Sequence, residues 1–202
     1  MSDTPSIKGT VLIDLVEDVR KLLGSGDREA AARLTERDRS TIEQGIAQAS
    51  WYSVHFYARL MELLRDHCGD GRNEYVVARG RARGRALMET GVYQQMEYVG
   101  RLQAQRAGTA EERMTAYGRD LRLLVTLSRS ILNFTTWSVG IDPDFDDRHR
   151  IEVSDAEQFP DILGYSTEGF IDAMASVPGH SGLWEYARID RRLVAFRMTR
   201  GR

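Results

Sequence analysis

The chain has 202 residues, 42% of them hydrophobic and 29% charged, which describes one folded domain or two small ones. Its 28 Lys+Arg against 30 Asp+Glu leave a formal charge of −2, which argues against a dedicated nucleic-acid binder with a strongly basic face. A single cysteine, Cys68, excludes an intramolecular disulfide and a multi-cysteine zinc ribbon, and no apolar run reaches the ~18 residues of a membrane span.

The first two thirds read as helices. Val11, Leu12, Leu15, Val16, Val19, Leu22 and Leu23 share one helical face, with Asp14, Asp18 and Lys21 opposite. Gly24-Ser25-Gly26 ends that helix, and Asp27 can cap the next, from Arg28 to about Leu34. A short helix is predicted from Asp38 to about Ile46. Ser50-Trp51-Tyr52-Ser53 then leads into a longer one, with Ser53 as its N-cap, Phe56, Tyr57, Leu60, Met61, Leu63 and Leu64 as its apolar stripe and Gly69 as its stop. Asn73 caps a helix to about Glu89 whose inward face holds Val76, Val77, Gly80, Gly84, Leu87 and Met88. Glycines inside a helix cost about 1 kcal/mol each against alanine, so this face requires a backbone packed close to it. Val92, Met96 and Val99 carry the period through a shorter helix to about Gln105. Met114, Tyr117, Leu121, Leu124, Ser128 and Ile131 mark the most regular one.

After Leu132 the period changes to two. Trp137, Val139 and Ile141 alternate with small polar residues, Asp142-Pro143-Asp144 breaks the run, and His149, Ile151 and Val153 alternate again. A helix is expected from Glu168 to about Val177 with Pro178-Gly179 as its stop, then strands over Leu183 to Ile189 and Leu193 to Met198. The expected fold is α+β, a single domain over 1–202. Its mainly helical part, 1–133, packs on one face of an antiparallel sheet, 134–202, built as strand-strand-helix-strand-strand.

Few residues advertise chemistry. Asp142, Asp144 and Asp146 match the opening of a calcium loop, but Asp147 stands where glycine is needed and Val153 where the bidentate glutamate belongs. The histidines His55, His67, His149 and His180 show no ligand spacing, so neither metal nor cofactor is expected. No nucleophile elbow, P-loop or dinucleotide glycine pattern occurs, and no catalytic residue can be named. Two features remain open. Arg79, Arg81, Arg83 and Arg85 lie within two helical turns, so they meet either acids from other helices or an anionic ligand or partner. Trp51, Tyr52, Phe56 and Tyr57, with Trp137 and Trp184 from the strands, either line an apolar ligand pocket or form plain core. The Gly80/Gly84 face, together with the strongly apolar helices, predicts a homodimer through helices. The start MSDTPSIKGT lacks an apolar signal core, so the expected compartment is the cytoplasm.

Several short motifs add a resemblance. Ile7-Lys8-Gly9-Thr10-Val11-Leu12, Asp38-Arg39, Ser50-Trp51-Tyr52 before Tyr57-x-x-Leu60, and Gly164-Tyr165-x-x-Glu168-Gly169 resemble an uncharacterised family found largely in myxobacteria, over about residues 7–198. That family is similar to a superfamily of ligand-binding domains: haem-based nitric oxide sensors, vinyl-reductase-like domains and the transport-complex (TRAPP) subunits of Golgi trafficking. The resemblance implies helices followed by a strand-strand-helix-strand-strand sheet, and pairing through helices. The cysteines that some relatives carry near the last hairpin are missing from Arg188-Ile189-Asp190-Arg191-Arg192-Leu193, and no Tyr-x-Ser-x-Arg haem element occurs. What the resemblance leaves is a non-enzymatic sensory or regulatory domain for a small apolar ligand or partner protein. A dimeric adaptor without any ligand is the alternative.

Overall fold

A computed structural model describes residues 4–26, 28–89, 109–175 and 182–200. The expected helix over 92–105, the Asp27 cap, the Pro178-Gly179 stop and His180 lie outside the described residues. The chain opens with a short strand, β1 (Ser6–Lys8), followed by α1 (Gly9–Gly24), α2 (Arg28–Ala32) and α3 (Glu36–Gln44). The next elements are β2 (Trp51–Ser53), α4 (Val54–Cys68), α5 (Asn73–Glu89) and α6 (Ala110–Ser128). The C-terminal part holds β3 (Thr136–Asp142), β4 (Phe145–Ser154), α7 (Asp161–Met174), β5 (Trp184–Arg188) and β6 (Val194–Met198).

The helices form where the apolar period and the caps coincide. Leu12, Leu15, Val16 and Val19 bury the expected face of α1. The third helix starts two residues before the expected Asp38, because Thr35 and Asp38 close a reciprocal capping box over its first turn. Ser53 does cap α4, accepting from the His55 N–H at 3.3 Å. A second capping box, Thr109 with Glu112, opens α6. Ser50-Trp51-Tyr52-Ser53, expected as a lead-in to α4, instead supplies β2, which pairs antiparallel with β1 (Ile7 opposite Tyr52). Ile7 also bridges Leu132, so β1 is held between β2 and the chain beyond α6.

The C-terminal part is a four-stranded sheet in the order β3-β4-β6-β5, antiparallel throughout, with α7 crossing between β4 and β5. Trp137, Ile151, Val153, Val194, Phe196, Met198, Trp184 and Tyr186 form its buried face. The opposite face carries Ser138, Arg150, Glu152, Glu185 and Arg197, the polar side of the sheet. The sheet's helix begins at Asp161, seven residues ahead of the expected Glu168. Gly164 and Gly169 weaken its local signal, yet both are needed: a side chain at Gly164 would overlap the Tyr186 ring, and one at Gly169 would overlap the Val77 carbonyl of α5.

That close approach also decides the Gly80/Gly84 face. A Cβ on Gly80 would overlap the Ser166 carbonyl oxygen of α7, and one on Gly84 would press on Ala173. The face expected to pair two subunits is therefore filled within one, by α7. Gly80→Ala should lower stability by about 1–3 kcal/mol, because overpacking outweighs the roughly 1 kcal/mol gain in helix propensity. Gly24→Ala, at a helix end with open space around it, should be neutral or stabilising. Urea midpoints of the two variants check the contrast.

Candidate functional site

A cleft of about 290 Å³ lies among α1, α4, α5 and α7. Its lining follows from helical spacing. Val11 and Leu15, one turn apart on α1, face Tyr57 and Met61, one turn apart on α4. Ala82 and Ala86 line the α5 side, where their small side chains leave the groove open. Above these apolar groups, two acids of α1 meet two arginines of α5: Asp18 binds Arg79 at 2.9 Å, and Asp14 binds Arg83. The α1 and α5 rows run in opposite senses, so the pairs match in antiparallel order. Burial raises the Asp18 carboxyl, but Lys21 and Arg79 outweigh it and leave the group below its ordinary value. Burial pushes the Tyr57 phenol up to about 12.

The arginine cluster is thus mostly neutralised by acids from other helices. Arg81 binds Asp172 of α7 at 2.7 Å, and Arg85 is exposed. Only Arg79 and Arg83 reach the cleft.

The six aromatic candidates do not converge. Tyr57 lines the cleft, and Phe56 is buried in the helical part. Trp51 is 42% exposed, with the Lys8 ammonium 4.2 Å from its ring centre. The Tyr52 hydroxyl accepts from the Ala47 N–H. Trp137 stacks on Phe196, centroids 5.8 Å apart, and meets Phe159 edge-on. Trp184 donates from Nε1 to the Tyr117 hydroxyl at 3.2 Å. Trp137 and Trp184 are close-packed sheet core, 8% and 2% exposed.

The acidic loop is also engaged. Asp142 is buried and takes two bonds from Arg197, at 2.8 and 2.7 Å, which hold its carboxyl below the ordinary value. Asp144 binds the same guanidinium. Among the described residues no group of three His, Cys, Asp or Glu side chains is placed to hold a metal. The motifs that carry the family resemblance do structural work: Asp38 caps α3 and grips Arg59 at 2.9 and 2.7 Å, and Glu168 accepts from the Tyr186 N–H of β5. Sequence reasoning missed Asp14 and Asp18 as site residues, although an acidic pair four apart mirrors Arg79 and Arg83. No family model, curated protein or solved structure matches this chain.

Proposed function

We propose that the chain is a cytoplasmic, non-enzymatic sensory or regulatory domain that binds a small apolar ligand in the cleft among α1, α4 and α5. One observation carries this reading: an apolar floor of Val11, Leu15, Tyr57, Met61, Ala82 and Ala86 lies beneath a rim of paired opposite charges. A rim of two acids and two arginines has no net charge to select an ion, so the floor decides what binds. At about 290 Å³ the cleft sits at the small end of ligand sites, which suits a compact molecule. A phenol pushed up to about 12 stays protonated at neutral pH and supplies no base. The resemblance to a superfamily of ligand-binding domains supports the same reading.

Ala82 is exposed, so Ala82→Trp fills the cleft without disturbing the core. The substitution should weaken binding of a hydrophobic fluorescent dye roughly tenfold, about 1.4 kcal/mol, at an unchanged melting temperature. Equal dye binding by both proteins removes the cleft reading. The adaptor without a ligand is favoured by one fact, the close packing of Trp137 and Trp184 where a deeper pocket was expected. Native mass spectrometry of protein purified from its own host separates the two: a co-purified small molecule supports the sensor, and its absence supports the adaptor.

A further inference from the structure

On the reading that the cleft is a ligand site, we infer that it takes a compact apolar molecule bearing one carbonyl oxygen, to which the Tyr57 hydroxyl donates. Tyr57 is 1% exposed yet lines the cleft, so its hydroxyl must find its partners there. Gly80 supplies the first one indirectly. Without a side chain on α5 at that point, the backbone of α7 comes close, and the Ser166 carbonyl lies where a Cβ would stand. That approach brings Ser166 into the lining of the cleft, where its hydroxyl meets that of Tyr57. Among the described residues neither hydroxyl has any other hydrogen-bond partner. Two hydroxyls carry two protons, and the bond between them uses one. One O–H therefore remains to donate, beside an apolar floor. Water can fill that role, but a ligand that displaces the water must replace its bond or lose affinity.

The chemistry of the ligand follows from what the other groups already hold. Arg79 is bound to Asp18 and reaches the Tyr75 hydroxyl at 3.4 Å, while Arg83 is bound to Asp14 and the Thr10 carbonyl. A carboxylate or an ammonium would have to break one of these pairs to find a counter-charge, so the ligand is neutral. Its skeleton rests on Val11, Leu15, Met61, Ala82 and Ala86. A carbonyl oxygen accepts the remaining proton without bringing one of its own to bury. The phenol is the stronger donor of the two hydroxyls and a carbonyl is a stronger acceptor than a hydroxyl. With a carbonyl present, Tyr57 thus gives its proton to the ligand, and Ser166 donates to the Tyr57 oxygen. Each bond of that chain polarises the next.

Cyclohexanone and methylenecyclohexane are the probes, because they share one shape and differ only in C=O against C=CH2. NMR titration of the full chain gives a Kd for each with the parent and with Tyr57→Phe, which keeps the ring and its packing. Tyr57→Phe should weaken cyclohexanone roughly tenfold, the worth of one hydrogen bond, and leave methylenecyclohexane within about twofold. Ser166→Ala should cost cyclohexanone less than Tyr57→Phe does, since Tyr57 keeps its proton. A second readout needs no variant: the C=O stretch of cyclohexanone bound to the parent should lie at lower frequency than in a hydrocarbon solvent. An unshifted stretch would overturn the inference. So would equal effects of Tyr57→Phe on the two probes, or a larger loss from Ser166→Ala. A parent that binds methylenecyclohexane but not cyclohexanone removes the carbonyl and keeps the cleft as a site. Binding of neither probe removes the cleft reading itself, and the carbonyl with it.

Discussion

Trp137→Ala is expected to destabilise the protein by roughly 3–5 kcal/mol, the range for removing a large aromatic from a packed core. The side chain is 8% exposed, stacks on Phe196 at 5.8 Å, meets Phe159 at 6.3 Å, and donates from its indole N–H to the Thr135 hydroxyl at 2.9 Å. Truncation removes both ring contacts and leaves a void that the two central strands, fixed by their ladders, cannot close. A domain of this size has about 5–15 kcal/mol in total, so the loss is a large part of it. Equilibrium urea unfolding checks the value, with an unchanged slope confirming that stability alone moved. The same variant separates the two sites. If Trp137 lined the ligand cavity, binding would vanish while the fold survived. With the cleft among α1, α4 and α5 as the binding site, the folded fraction of Trp137→Ala should bind the dye as the parent does. A stability loss under 1 kcal/mol together with lost binding would return the pocket to the sheet.

The same tryptophan shows what the sequence could and could not reveal. Alternation places Trp137, Val139 and Ile141 on one face of a strand, and the registers with Val153, Ile151 and His149 bear that out. Periodicity says that a side chain points inward, but not which layer it meets. Phe56 and Tyr57 bury themselves among helices and Trp137 against the sheet, so aromatics that look alike in sequence lie in different layers. Three-residue strands such as β1 and β2 are too short to show a period, and Trp51 was legible only as an aromatic near a cap. The start of α7 was hidden for another reason. Gly164 and Gly169 read as breakers locally, whereas contacts with Tyr186 and α5 make them necessary. In the cleft, the Arg79/Arg83 spacing was visible because it is local. Their partners Asp14 and Asp18 sit more than sixty residues earlier in the chain, and nothing in either helix alone names the other.

Asp172 ties α5 to α7 and β5, and its loss should be the other severe change. Its side chain is 3% exposed; one carboxylate oxygen accepts from the Leu183 and Trp184 N–H groups, and the other takes Arg81 of α5 at 2.7 Å. Asp172→Ala would leave a largely buried guanidinium without its counter-charge and two backbone donors without acceptors. Breaking one side of a buried pair in this way costs roughly 3–5 kcal/mol. Arg81 is 27% exposed and can reach some water, which places the expected value at the lower end. Arg81→Met leaves a hydrogen-bonded carboxylate and an apolar stem, so it should cost less than Asp172→Ala. The double variant should then fall well short of the sum of the two, because removing Arg81 removes the stranded charge that makes Asp172→Ala severe. Additivity within about 0.5 kcal/mol would show that the two side chains do not act as a pair. Amide exchange gives a second readout: the Leu183 and Trp184 N–H groups should lose protection in Asp172→Ala but keep it in Arg81→Met, since only the first change removes their acceptor.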